Sequence, residues 1–120
     1  MTDAALFIRW GATATGREKK AIDLFGESLR FLSGLVAEGR VASVEPFFVE
    51  PHGGDLEGFW IVRGDREELD SIRSSDDFQR LSVRAQAVVQ DFGVINAITG
   101  EQLNKHMAWF AEAASEADRD

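Results

Sequence analysis

The chain of 120 residues contains no cysteine, no tyrosine and only two prolines. Without cysteine there is neither a disulfide framework nor a thiolate metal site, a composition that suits a reducing cytoplasm. No run approaches the ~18 consecutive apolar residues of a membrane span. Met1-Thr2-Asp3 lacks the basic start and apolar stretch of a signal peptide. Bases are scarce: 13 Lys and Arg stand against 21 Asp and Glu, for a net charge of −8. Such a surface repels phosphate backbones and anionic lipid, so neither nucleic acid nor a membrane is an expected partner. Two histidines and scattered carboxylates, without an H-x-x-x-H spacing, form no metal signature. Gly11-Ala12-Thr13-Ala14-Thr15-Gly16 lacks both the Gly-Lys-Ser/Thr ending and the GxGxxG glycines of a phosphate loop. The expectation is a cytoplasmic protein with no cofactor and no metal.

What the chain has in abundance is large apolar side chains, including nine Phe and three Trp. The length is that of one domain over residues 1–120, able to bury about two-thirds of its unfolded surface.

Ala4-Ala5-Leu6-Phe7-Ile8-Arg9-Trp10 is rich in β formers, with Leu6, Ile8 and Trp10 on one parity and Phe7 on the other. Apolar residues on both parities describe a strand buried on two faces. Thr15-Gly16-Arg17-Glu18 fits a capping box. Ala21, Phe25, Leu29, Leu32 and Val36, widened by Ile22, Leu24 and Leu35, follow at helical spacing, and Gly39 ends the helix. Gly26 and Gly34 inside it predict a close helix–sheet approach or, alternatively, a partner helix packed there.

Val44 to Val49 and Gly58 to Val62 flank Pro51-His52-Gly53-Gly54-Asp55, a hairpin signal. A two-residue Gly53-Gly54 turn sets Glu50 opposite Glu57, a like-charge pair. A Gly53-Gly54-Asp55 turn instead sets Phe48 opposite Trp60, Phe47 opposite Ile61 and Glu45 opposite Arg63, and is the expected register. Pro46 and Pro51 cannot donate to a ladder, so the first strand belongs at an edge; Phe59-Trp60-Ile61-Val62 belongs in the centre. A helix from Asp65 to Val89, interrupted and recapped at Ser74-Ser75-Asp76-Asp77, precedes a strand over Phe92 to Ile98. Thr99-Gly100-Glu101-Gln102 opens a last helix at about residues 100–115, with Leu103, Met107, Phe110 and Ala114 on one stripe and a fraying tail over 116–120.

The order β-α-β-β-α-β plus one helix is the split-βαβ, ferredoxin-like α+β pattern. Right-handed crossovers then give a four-stranded antiparallel sheet of order 4-1-3-2 with its two helices on one face. The other face is too apolar to leave in water, and a second copy stacked sheet against sheet by two-fold symmetry is the usual remedy. Over residues 4–99 the element order resembles the dimeric α+β-barrel superfamily, which includes antibiotic-biosynthesis-monooxygenase-like, YCII-related, EthD-type and muconolactone-isomerase proteins. The resemblance implies a homodimer. It carries no catalytic signature: His52 and His106 do not match the His and Asp arrangement of YCII-type proteins, and no family residue is carried over.

The candidate ligand residues are Trp10 and Trp60 as pocket walls, with Arg9, Arg63 and Asn96 as polar groups inside strands able to anchor a ligand in an apolar pocket. His52, in the hairpin loop beside Asp55, is the titratable candidate. No catalytic set is identified. Two functions remain open: a pocket between sheet and helices that binds or turns over a small apolar or aromatic molecule without cofactor, or a non-catalytic homodimeric interaction or regulatory module.

Overall fold

The computed structural model describes residues 2–117. Its elements are β1 (Ala4–Trp10), α1 (Glu18–Ala37), β2 (Ser43–Phe48), β3 (Gly58–Gly64), α2 (Arg66–Ser74), α3 (Asp76–Val88), β4 (Gly93–Ile98) and α4 (Gly100–Ala117). The sheet is antiparallel, in the order β2-β3-β1-β4. This is the expected topology, with proline-bearing β2 at an edge and the two-sided apolar strands in the middle. The expected tail over 116–120 falls partly outside the described residues; the last helix continues through Ala117.

The pleat divides the sheet side chains cleanly. Leu6 and Ile8 of β1, paired with Val62 and Trp60 of β3, point toward the helices and are almost fully buried. Leu32 and Leu35 of α1, Leu69 and Ile72 of α2 and Phe78 of α3 complete that core. Phe7, Phe59, Ile61, Phe47 and Ile95 share the opposite parity and the face that no helix covers.

The hairpin register differs from the expected one by two residues. Phe47 pairs with Phe59, Pro46 with Trp60 and Phe48 with Gly58. The connection runs from Val49, whose amide donates to the Glu57 carbonyl at 2.9 Å, rather than through a tight glycine turn. Gly58 explains the shift: a Cβ there would lie 2.4 Å from the Trp10 ring and 2.8 Å from the Phe47 carbonyl. The Trp10 indole occupies that space, which seats β3 between β1 and β2. The Glu45–Arg63 pair still forms, at 2.9 Å, because long side chains reach diagonally across a ladder. A shift of two preserves parity, so every side chain keeps its face.

Three local expectations are corrected. The Thr15 capping box does not form: α1 begins at Glu18, whose carboxylate accepts from the Gly16 amide at 3.3 Å. Gly34 has no neighbour within 4 Å of a would-be Cβ, and Gly26 meets only the Arg30 side chain, so neither marks a close helix–sheet approach. Ile22 and Val36 are exposed, and the buried face of α1 runs through Leu24, Leu32 and Leu35. The break in the second helical segment is as expected. The Ser75 hydroxyl accepts from the Phe78 amide, recapping α3 at its first turn.

Candidate functional site

Between the sheet and the α1/α3 pair, at the Trp10 end of β1, lies a cavity of about 490 Å³. The sheet contributes Ile8, Trp10, Trp60 and Phe48; α1 contributes Leu24, Phe25 and Phe31; α3 contributes Phe78, Leu81 and Val88. Thr13, Val89 and Phe92 add to the lining. Thr13 and Val89 form an isolated antiparallel bridge that stitches the loop after β1 to the end of α3. Four rings cluster along one wall. Phe25 lies 4.8 Å from Trp60, 5.2 Å from Phe48 and 6.0 Å from Trp10 between centroids, all within the range of favourable aromatic pairing.

The cavity arises from small residues. Ala21 and Ser28 on α1, and Ser82 and Ala85 on α3, face it where larger side chains would fill the space. At ~24 cal/mol per Å³, an empty sealed void of this size would cost on the order of 10 kcal/mol, comparable to the whole stability of a domain. The cavity is instead open to solvent. Apolar walls in contact with water favour an apolar occupant.

The polar groups on the lining are the hydroxyls of Thr13, Ser28 and Ser82 and the carboxylate of Glu18. Glu18 is the one charged side chain among the described lining residues, and no Lys, Arg or His is among them. A carboxylate and no cation among the described lining residues offer an anion no partner, and leave room for a neutral or cationic group. Across the top of the helix layer, Arg84 of α3 donates to both carboxylate oxygens of Glu27 on α1, at 2.8 and 2.7 Å. The chain neighbours of this bidentate latch, Ser28 and Ala85, line the cavity. The Arg84 hydrogen bond holds the Glu27 carboxyl below its ordinary value of 4.5, and Glu27 in turn raises Arg84.

The sheet separates the residues singled out in the sequence. Trp10 and Trp60 are cavity walls. Arg9 and Arg63 lie on the other face: Arg9 donates to the Asp55 carbonyl at 2.6 Å and Arg63 to Glu45. Asn96 is on the helix side of edge strand β4, away from the cavity, where its side-chain oxygen accepts from Arg73 at 2.6 Å. His52 is exposed in the β2–β3 loop, its Nε2 2.8 Å from the Leu56 carbonyl oxygen. Glu18, Ser28, Ser82 and the alanines at 21 and 85 carried no ligand role in the sequence, where Glu18 stood in a capping box and Ala21 on a helix stripe. Their signal was present as small or polar residues interrupting otherwise apolar helix faces.

No protein-family model and no curated protein sequence matches the chain. A solved structure does match in shape: a dimeric protein of unknown function and ferredoxin-like fold from Bacteroides fragilis, with a TM-score of 0.57 and 5% identity, covering 79% of this chain and 95% of the other. The chain has the ferredoxin-like α+β fold. Among the described residues no helix is long and apolar enough to cross a membrane.

Proposed function

We propose that the protein binds a small apolar or aromatic molecule, neutral or positively charged, in the cavity between the sheet and α1/α3, and that it does so as a homodimer without a cofactor. The carrying observation is the cavity itself. Its volume falls within the ~300–1,000 Å³ of small-molecule sites, and its walls are apolar and aromatic with a few polar groups, as in such sites generally. Binding is favoured over turnover because Glu18 is the one titratable side chain among the described lining residues. General acid–base chemistry needs a group within hydrogen-bond reach of the reacting atom, and both histidines lie elsewhere. Dimerisation is supported by the apolar sheet face opposite the helices and by the dimeric state of the Bacteroides protein.

The test is a thermal-shift and tryptophan-fluorescence screen with small hydrophobic compounds in matched neutral, cationic and anionic forms. A ligand at 100 times its Kd stabilises by ~2.7 kcal/mol, about 10 °C in a domain of this size. Quenching or a blue shift of tryptophan emission should accompany it, because Trp10 and Trp60 form the wall. Binding that prefers anions, or that persists unchanged after Ala85→Phe fills the cavity, would sink this reading.

A further inference from the structure

The C-terminal helix has no place in the domain that carries it. None of its side chains is buried. Leu103, Met107, Trp109 and Phe110 are 44, 59, 55 and 71% exposed. The radius of gyration is 17.2 Å, against ~13.5 Å for a compact chain of this length. The long axis reaches 59 Å against a short one of 24 Å, and an 18-residue helix is ~27 Å long. Its direction is set at the junction with β4. The Thr99 amide donates to the Asp3 carbonyl at 3.0 Å, and Gly100 has a φ of +58°, the left-handed conformation that glycine adopts without strain. The helix is thus launched from the last strand of the sheet, whose open face carries Ile95 and Ala97.

We infer that α4 is a dimer arm, whose apolar side chains pack on a second copy of this chain as an extension of the open sheet face. This rests on the proposed homodimer and adds a second component to its interface. Four strands ~4.8 Å apart and about 20 Å long have a flat footprint of ~400 Å². A specific stable interface needs ~800 Å² from each partner. The footprint of the sheet face is about half of that. Large apolar side chains present roughly 150–250 Å² each when free, so at the observed exposures Leu103, Met107 and Phe110, which share one stripe, add on the order of 350 Å². Each patch is about half of a standard interface, and together they come close to one. Two-fold symmetry places both patches on both copies. Glu101, Lys105, Glu112 and Glu116 leave the helix net acidic, so an anionic membrane is a poor alternative occupant.

The test is sedimentation equilibrium on the full-length chain, native and carrying Met107→Glu with Phe110→Glu. These side chains are unburied, so circular dichroism should show the domain folded. If glutamate perturbs the helix, Met107→Ala with Phe110→Ala removes the same contacts and keeps helix propensity. The expected result is a native dimer whose Kd is weakened roughly 30-fold or more, the scale of losing a central interface contact. A Kd unchanged by both pairs overturns the arm. Ile95→Glu separates the two components. If it dissociates the dimer while the arm variants do not, the sheet contact stands and the arm falls. If the arm variants dissociate it and Ile95→Glu does not, the arm stands and the sheet contact falls. A native chain that stays monomeric above ~100 μM overturns both.

Discussion

The two faces of the sheet are built from nearly the same residue types and have different fates. On the helix side, Leu6, Ile8, Trp60 and Val62 are at most 7% exposed. On the other side, Phe7 lies 5.0 Å from Phe59 at a 50° tilt and Phe59 stacks on Phe47 at 4.7 Å, in a ribbon of rings that no described element covers. Phe47 and Ile95 there are 42 and 49% exposed. Composition alone does not distinguish a core from an interface. What distinguishes them is whether the same chain supplies a cover. The helix-side face has a cover that does not quite fill it, and the remaining volume is the cavity. The open face has none, and the same chain carries a second uncovered surface in α4.

Neighbouring residues on β1 give the sharpest test of this contrast. Leu6→Ala removes a side chain that is 1% exposed and should cost ~3 kcal/mol, lowering Tm in calorimetry at every protein concentration. Phe7→Ala, one position along on the opposite face, should cost the isolated domain only ~1 kcal/mol, because the ring is half-buried. Its larger effect should be on association, visible as a Tm that loses its dependence on protein concentration. Equal, concentration-independent losses at both positions would erase the distinction. Ser75→Ala tests how the cover is held. It should destabilise by ~1 kcal/mol in urea titration through loss of the α3 cap, with little change in association. Ala85→Phe tests whether the cover is incomplete. Filling an open cavity should raise stability by ~1 kcal/mol; a decrease would show that α3 already packs to its limit.

The smallest effect concerns the latch between α1 and α3. Because Arg84 depresses the Glu27 carboxyl, the pair contributes stability above pH 4.5, the ordinary value. That contribution is lost as pH falls through the lower, folded value. Native and Glu27→Gln chains should therefore differ slightly at neutral pH and converge in acid, as followed by paired thermal melts. The pair is half-exposed, and surface pairs are screened and modest, so a large difference would mean the latch holds the helices over the cavity more tightly than its exposure implies.

Much of this was legible in the chain. Proline at position 46 excluded β2 from the centre. Apolar residues on both parities placed β1 and β3 there, and Ser75 marked the helix break, because each is a local rule acting on a few adjacent residues. The hairpin register was not legible. Charge matching pairs Glu45 with Arg63, as found, but a diagonal contact satisfies it as well as a direct one. The packing of Trp10 across Gly58 chose between them. The pleat puts Trp10 and Arg9, adjacent on β1, on opposite faces, but the sequence did not say which face would hold a cavity: Trp10 lines it, while Arg9 turns to the open face and the Asp55 carbonyl.

By itself, then, the sequence determined the order of elements, the strand positions and the alternation of side chains along each strand, since hydrophobic period, proline and caps act over a few residues at a time. Only the tertiary structure decided that small side chains on α1 and α3 leave about 490 Å³ unfilled, and that α4 finds no surface of its own domain to cover. Both depend on how far apart packed elements stand, a distance set by all their side chains together.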